Sequence, residues 1–457
     1  MDSMICNYTP LKKLRKKDEY DPYDSGMPDR AILVYCNKLK ENFPDSKIII
    51  GGTEASMRRF THYDYWSNNL RSSILLDSWA DILVYGSGEK QIIEIAKRLK
   101  KNESLDRIEG TCIISKKIPT EFTELPSHEE IIKNKHSFVK MQLLLNNYKN
   151  IAQKNGNRYV LQYKQPKYTS KDLDYIYELN YSRNIPSNYP EFKTIQFTVV
   201  THRGCIGRCT FCSITLMQGD KIISRSEESI LKELEKITKH KDFKGFIDDF
   251  GGPSANMYGM DCYKCEGWCM KCSKLDRSHE RLINLLKKAR NVKGIKKVFV
   301  RSGIRYDLAI NSSKYIKELS EYHISGNLKI APEHFSYNVL KLLNKENDKF
   351  EEFKNIFERI NKNKKQGLKY YFMTGLPGET LGATKKLKEK MRKLKNIESV
   401  QIFTPTPMTN LTCMYYTGLN LYTKEKISVP YTYNKKKKMK NLLFGKDEYV
   451  HQRNKLN

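Results

Sequence analysis

The sequence has no apolar run approaching the roughly 18 residues that a membrane-spanning helix needs. Residues 1–20 also lack the apolar core, about 7–15 residues long, of a secretory signal. The expected setting is therefore the cytoplasm, with no membrane partner. Carboxylates are scarce: 52 Asp and Glu stand against 82 Lys and Arg, a formal net charge of +30. That deficit has two readings. One is binding to nucleic acid or another polyanion. The other is a general bias toward Lys, Asn, Ile and Tyr that spreads lysine over solvated faces. The clearest cluster is Lys435, Lys436, Lys437 and Lys438 with Lys440. Apolar residues are not scarce: 39% hydrophobic and 11% aromatic content exclude a disordered chain of this charge. No solenoid repeat is visible. Eleven cysteines in a cytosolic chain argue against structural disulfides and for metal binding.

Four stretches follow from the patterning. Residues 1–115 read as a partial Rossmann-like α/β domain. Within it, residues 31–43 have helical spacing, and residues 47–50 and 81–85 are short strands closed by glycines. Residues 89–100 are a helix with Ile92, Ile93, Ile95 and Leu99 mostly on one side. Strands that end in glycine turns and feed helices suggest a parallel sheet. Residues 116–190 are a connecting segment, with a helix over 131–152 and a strand over 158–164. Residues 191–410 alternate regularly. Strands are expected at 195–201, 245–250, 297–302, 328–331, 370–374 and 399–403. Helices are expected at 227–240, 279–291, 313–323, 335–344 with 350–364, and 379–396. Ser224 to Glu227 has capping-box spacing, although Ser226 is an equally good cap. Six strand–helix units predict a parallel barrel or partial barrel, whose chemistry sits at the C-terminal ends of the strands. Residues 411–457 are a basic C-terminal extension.

The loop leaving the first barrel strand carries Cys205, Cys209 and Cys212 among glycines. Iron–sulfur clusters are normally held by four thiolates. Three thiolates on one loop leave an iron open, able to chelate the amino and carboxylate groups of a methionine-type ligand. One electron passed into its sulfonium breaks a C–S bond and releases a 5′-deoxyadenosyl radical. The competing reading is a partial zinc site or ordinary loop cysteines. A second run, Cys262, Cys265, Cys269 and Cys272, packs four thiols so closely that they can complete a metal site unaided. A second four-iron cluster and a structural zinc both remain open, with the compact spacing favouring iron–sulfur. Cys6, Cys36, Cys112 and Cys413 are isolated and read as small hydrophobes.

The spacing of Cys205, Cys209 and Cys212, with Phe211 just before the third, resembles the radical S-adenosylmethionine (radical SAM) superfamily. The longer string from Arg203 through Ser226 resembles the YgiQ-type radical SAM proteins in particular. So do the strings starting at Gly51, His62 and Asp249. Members are usually longer at both ends, and this chain reads as a shortened one. The resemblance implies an α/β fold: a partial (β/α)6 parallel barrel of radical SAM type preceded by a shortened Rossmann-like α/β domain. It implies a [4Fe-4S] cluster on Cys205, Cys209 and Cys212, S-adenosylmethionine, and an electron donor such as flavodoxin or ferredoxin. It further implies S-adenosylmethionine contacts from Phe211, Gly251, Gly252, Arg301, Ser302, Glu333, Gly375 and Gly378. Pro253 stands where the superfamily carries an acidic residue, so only the backbone role of Gly251 and Gly252 carries over. The first domain resembles the cobalamin-binding domain of some radical SAM enzymes. Its Asp-x-His-x-x-Gly ligand loop is absent, so no cobalamin is expected; base-off binding stays open. Residues 62–66, rich in aromatics, are expected to pack on the barrel rather than face substrate.

Three functions fit these readings. The first is a radical SAM enzyme of unassigned substrate. The second is an RNA-modifying radical enzyme of methylthiotransferase type. The third is a non-catalytic iron–sulfur or zinc protein that binds RNA or passes electrons.

Overall fold

The computed structural model describes residues 2–15, 26–147, 149–262, 264–265, 267–346 and 348–444. Six strands before residue 165 form one sheet. They are β1 (Ile49–Ile50), β2 (Ile82–Val84), β3 (Thr111–Ser115), β4 (Thr123–Leu125), β5 (Ile151–Asn155) and β6 (Arg158–Gln162). Their order is β1-β2-β3-β6-β5-β4, so the sheet runs across residue 115. Only β1–β2 and β4–β5 are parallel. The strands expected at 47–50 and 81–85 thus do pair in parallel, while the remaining pairings are antiparallel and make the sheet a mixed one. The cause at β5–β6 is local. Asn155 pairs with Arg158 across a two-residue turn containing Gly156 at φ +56°, and a turn that short can only join antiparallel strands.

Residues 131–152 are not one helix. A capping box from Ser127 to Glu130 starts the helix His128–Lys133. A second helix, Lys135–Asn147, follows, and the Asn134 side chain accepts from the His136 N–H at its start. Ile151 and Ala152 are fully buried in β5. The helix Glu89–Lys100 has the expected bounds but a narrower buried stripe. Gln91 and Ile95 face inward, while Ile92 and Ile93 are exposed.

The barrel strands are β7 (Thr198–Val200), β8 (Phe246–Ile247 and Asp249–Gly251), β9 (Lys297–Val298), β10 (Asn327–Glu333), β11 (Gly367–Thr374) and β12 (Ile397–Ile402). Neighbours pair in parallel from β7 to β9 and from β10 to β12. A parallel bridge between Ile304 and Ile330 closes the gap after β9. No pairing joins β12 to β7 among the described residues, so the barrel is partial. Burial on β11 alternates strictly: Leu368, Tyr370, Phe372 and Thr374 point inward. Phe350, Phe353 and Phe357 of the helix Phe350–Ile360 cover that face. Each such ring contributes roughly 1.5–3 kcal/mol of burial. The helix Glu227–Thr238 is capped by Ser226, whose Oγ accepts from the Ser229 N–H at 3.1 Å. Ser224 is instead paired with His202 in a short antiparallel ladder, which removes it from the cap.

The stretch expected as a basic extension is folded as far as residue 444. Leu411, Met414, Tyr415, Leu421, Val429, Met439 and Leu443 are buried. The lysine cluster is split, because Lys436 is only 1% exposed while Lys435, Lys437 and Lys438 face solvent. Residues 445–457 of that expected extension lie outside the described residues. At the other end, Asp2 is buried against Arg58, and the Ser3 N–H donates to Glu54 at 2.9 Å.

Candidate functional site

After β7 the chain pairs His202 and Arg203 with Ser224 and Ile223, and this ladder encloses the loop of residues 204–222. Gly204 opens it at φ +86°, with a Cβ there falling 1.8 Å from the Lys221 carbonyl oxygen, so only glycine passes. A Cβ on Gly207 would meet the Arg305 guanidinium at 2.8 Å and Cys205 Sγ at 3.5 Å. The loop is pinned from several sides. The Cys205 N–H donates to Gly219 O, the Thr210 N–H to Leu343 O, and the Leu411 N–H to Thr210 O. Asn344 Nδ2 donates to Arg208 O at 2.9 Å.

All three cysteines on this loop are partly exposed. Burial pushes the Cys212 thiol up to about 12, and the neighbouring Cys209 and Cys205 charges add to the shift. Burial also raises Cys205, against a hydrogen bond at Gly207. Cys205 and Cys212 therefore share a microenvironment that disfavours the free thiolate. Metal uptake there must displace protons. Among the described residues no three His, Cys, Asp or Glu side chains are gathered for a single ion. A four-iron cluster spreads its thiolates farther apart than one ion does. Three thiols on a glycine-relieved loop are a donor set that fits such a cluster with one iron open.

The other expected residues lie around the strand ends. Gly251 pairs with Val200, and its carbonyl already accepts from the Thr201 N–H at 2.7 Å, leaving one lone pair. Gly252 lies against His202: a Cβ there would come within 2.6 Å of the ring. Burial pushes His202 down to about 4, so the ring is neutral. The Arg301 side chain is exposed, 3.8 Å from Asp248 and stacked on Phe299. The Arg301 and Ser302 N–H groups and the Ser302 hydroxyl all donate to Asp249. Glu333 stands at φ +67° and pairs with Lys345 at 2.8 Å. Gly375 and Gly378 sit at φ +74° and +82° in the turn after β11. That turn is locked by the fully buried Glu379, which accepts from Thr374, Thr384 and the Leu376 N–H. Burial alone would raise Glu379, but its bonds to His334, Thr384 and Leu376 hold it below the usual carboxylate value. Phe211 packs half-buried against the core shared with the first domain.

Two residues at the site were not anticipated. Arg305 is buried, donates to Cys209 Sγ at 3.5 Å, and is held by Asp307 at 3.0 Å through Nε. Lys345 balances Glu333. Neither belongs to a spacing motif, and lysine is too common here for one to stand out.

The second cysteine run adjoins this loop. Trp268 Nε1 donates to Ile206 O at 2.7 Å. Lys221 Nζ donates to Cys265 O, Gly267 O and Cys269 Sγ. Cys269 is buried with Ile206, Ile222 and Met257, while Cys262 and Cys272 are partly exposed and Cys265 is exposed. Of the isolated cysteines, Cys36, Cys112 and Cys413 are buried.

Comparison with known proteins bears on both halves of the chain. Residues 1–200 match the radical SAM N-terminal family and residues 199–409 the radical SAM superfamily. A UPF0313 protein of Methanocaldococcus jannaschii is 43% identical over 98% of this chain and 79% of its own length. One from Clostridium botulinum is 42% identical over 97% of this chain and 75% of its own. Among solved structures, the cobalamin-dependent S-adenosylmethionine radical enzyme OxsB aligns with a TM-score of 0.50 and 13% identity. It covers 84% of this chain, which spans 44% of OxsB; at that identity the likeness is one of fold.

Proposed function

Because the chain belongs to the UPF0313, or YgiQ-type, family of radical SAM proteins, it is a radical SAM enzyme, and we propose that Cys205, Cys209 and Cys212 hold its cluster. The observation that carries this assignment is the placement of three thiols on one pinned loop at the exit of β7, the catalytic end of such barrels. Held by these three thiolates, a four-iron cluster with one open iron would supply the one-electron reduction that breaks the C–S bond of S-adenosylmethionine. The chain's own residues do the rest. Gly252, lacking a side chain against His202, brings backbone to the mouth of the barrel, and the free lone pair of the Gly251 carbonyl suits an amino group. The exposed Arg301 suits a carboxylate, which guanidinium groups bind bidentately. Ser302, Glu333, Gly375, Gly378 and Phe211 complete the proposed S-adenosylmethionine contacts. Arg305 donates to the Cys209 sulfur, which would ligate the cluster, and is a positioning residue.

Cys262, Cys265, Cys269 and Cys272 form, on this reading, a second metal site. A flavodoxin or ferredoxin supplies the electron. The reading includes no cobalamin, since the histidine ligand loop is lacking.

Oxygen-free reconstitution tests the assignment. The wild-type chain should take up iron and sulfide and, with dithionite and S-adenosylmethionine, release 5′-deoxyadenosine. Changing Cys205, Cys209 or Cys212 to Ala should abolish that product and remove about four irons per chain. Normal product and iron in those variants would end the assignment. Cys262→Ser with Cys269→Ser should lower total metal while leaving some 5′-deoxyadenosine, and whether iron or zinc falls identifies the second site. Added cobalamin should leave product yield unchanged.

A further inference from the structure

A cavity lies away from the cysteine loop, at the seam between the first domain and the segment after the barrel. Its volume is about 370 Å³, within the roughly 300–1,000 Å³ of small-molecule sites. Its walls are phenolic. Tyr63 and Tyr65 come from the strand His62–Asp64 and the residue after it, Tyr415 and Tyr416 from the helix Asn410–Thr417, and Tyr431 from the segment beyond. The rings are close but not closed on one another. Tyr63 lies 4.8 Å from Tyr416, and Tyr415 lies 5.4 Å from Tyr431. Tyr416 is only half-buried and Tyr431 is 51% exposed, so π-faces remain available.

Cations rim the same space. Lys12 stands 4.7 Å from the Tyr65 ring centre, and Lys135 stands 5.5 Å from that of Tyr416. Lys436 reaches the floor from beneath, donating to the Tyr65 hydroxyl at 2.8 Å. No Asp or Glu is among the described lining residues. The nearest carboxylate, Asp64, is taken up by Arg30, the Trp66 N–H and Ser67. Lys12, Lys135 and Lys436 thus gather at one tyrosine-walled space whose own lining offers no carboxylate, with Asp64, shared with Arg30, offsetting Lys12.

We infer that this cavity binds a nucleotide, with the base stacked on the tyrosines and the phosphate met by Lys12 and Lys135. Stacking on aromatics beside a basic groove is how proteins hold unpaired nucleotides, and the net charge of +30 favours such an anion at long range. Burial, then the charge of Lys12, pushes Lys436 down to about 7, so an entering phosphate would offset repulsion already present. The helix bearing Tyr416 begins where the Leu411 N–H bonds Thr210 O, and five residues of helix span about 8 Å. The same chemistry could come from a free nucleotide or from one residue of a single strand.

Binding is measured on the full chain without a cluster, so failure here leaves the radical reading untouched. The probes are AMP, adenosine and a ten-nucleotide single-stranded RNA, titrated calorimetrically at two salt concentrations. AMP should bind more tightly than adenosine. Tyr431→Ala should weaken AMP or RNA about tenfold, the stacking of one base. Lys135→Gln should weaken binding and flatten its salt dependence, by about 0.7 in log–log slope for the strand. Lys362→Gln is the control: it is exposed in the loop before β11 and does not line the cavity. It should change neither quantity. Unchanged thermal unfolding confirms that the exposed-site variants are folded. RNA tighter than AMP identifies a strand as the source, and AMP alone identifies a free nucleotide. No binding of either, equal binding of adenosine and AMP, or equal losses in Lys362→Gln and Lys135→Gln would overturn the inference.

Discussion

Arg305 lies buried beside the cysteine loop, its guanidinium shared between Asp307 and the sulfur of Cys209. Hydrogen bonds and positive charge at a cluster sulfur stabilise the more negative, reduced state. Arg305→Met should therefore make the cluster's reduction potential more negative, read by spectroelectrochemistry on reconstituted protein. An unchanged potential would deny Arg305 that role. Lys436 gives a pH prediction. It faces Tyr65, Tyr415 and Lys12 and sits at about 7 against the usual 10.5. Between those values the unfolded chain holds a proton that the folded chain lacks, so this residue makes stability rise with pH and carries its full cost below about 7. Urea unfolding of Lys436→Met should show higher stability than wild type at pH 6.5, with the gap closing toward pH 9.5. The shared loop of Cys205, Cys209 and Cys212 was legible because their spacing is local. Arg305 was not, since its role exists only once β9 has been laid beside the loop.

The short elements around the site depend on single atoms. Gly204→Ala would place a methyl 1.8 Å from the Lys221 carbonyl and force φ +86° on an L-residue. The loss should exceed about 1 kcal/mol in chemical denaturation, with iron uptake failing in step. Trp268→Phe removes the bond to Ile206 O and should cost about 1 kcal/mol. If the second cysteine run braces the first loop, this variant should also lose cluster iron faster to a chelator. Barrel strands and helices were readable because each buries one face in a fixed period, as β11 does. Residues 131–152 misled because two helices and the start of a buried strand follow one another closely, and only the break at Asn134 separates the helices.

At the scale of the molecule, one apolar core joins Ile50 and Val160 of the first sheet, and Tyr63 of the strand His62–Asp64, to Val339, Leu411 and Tyr415. Gln142 reaches across to Met408 O at 3.0 Å. The first sheet and the barrel should therefore unfold in one cooperative calorimetric transition, and two separated transitions would show that the shared core contributes little. No helix among the described residues is long and apolar enough to cross a membrane.

The sequence by itself determined the cysteine loop, the alternation of six strands and helices, and the family, since all three are written in short-range spacing. Tertiary structure decided which charges are buried. Lys436 left its cluster for a tyrosine floor, Asp249 took up Ser302, and Arg305 reached Cys209. Burial is a property of what packs on top, and those partners lie far away along the chain: 371 residues separate Lys436 from Tyr65.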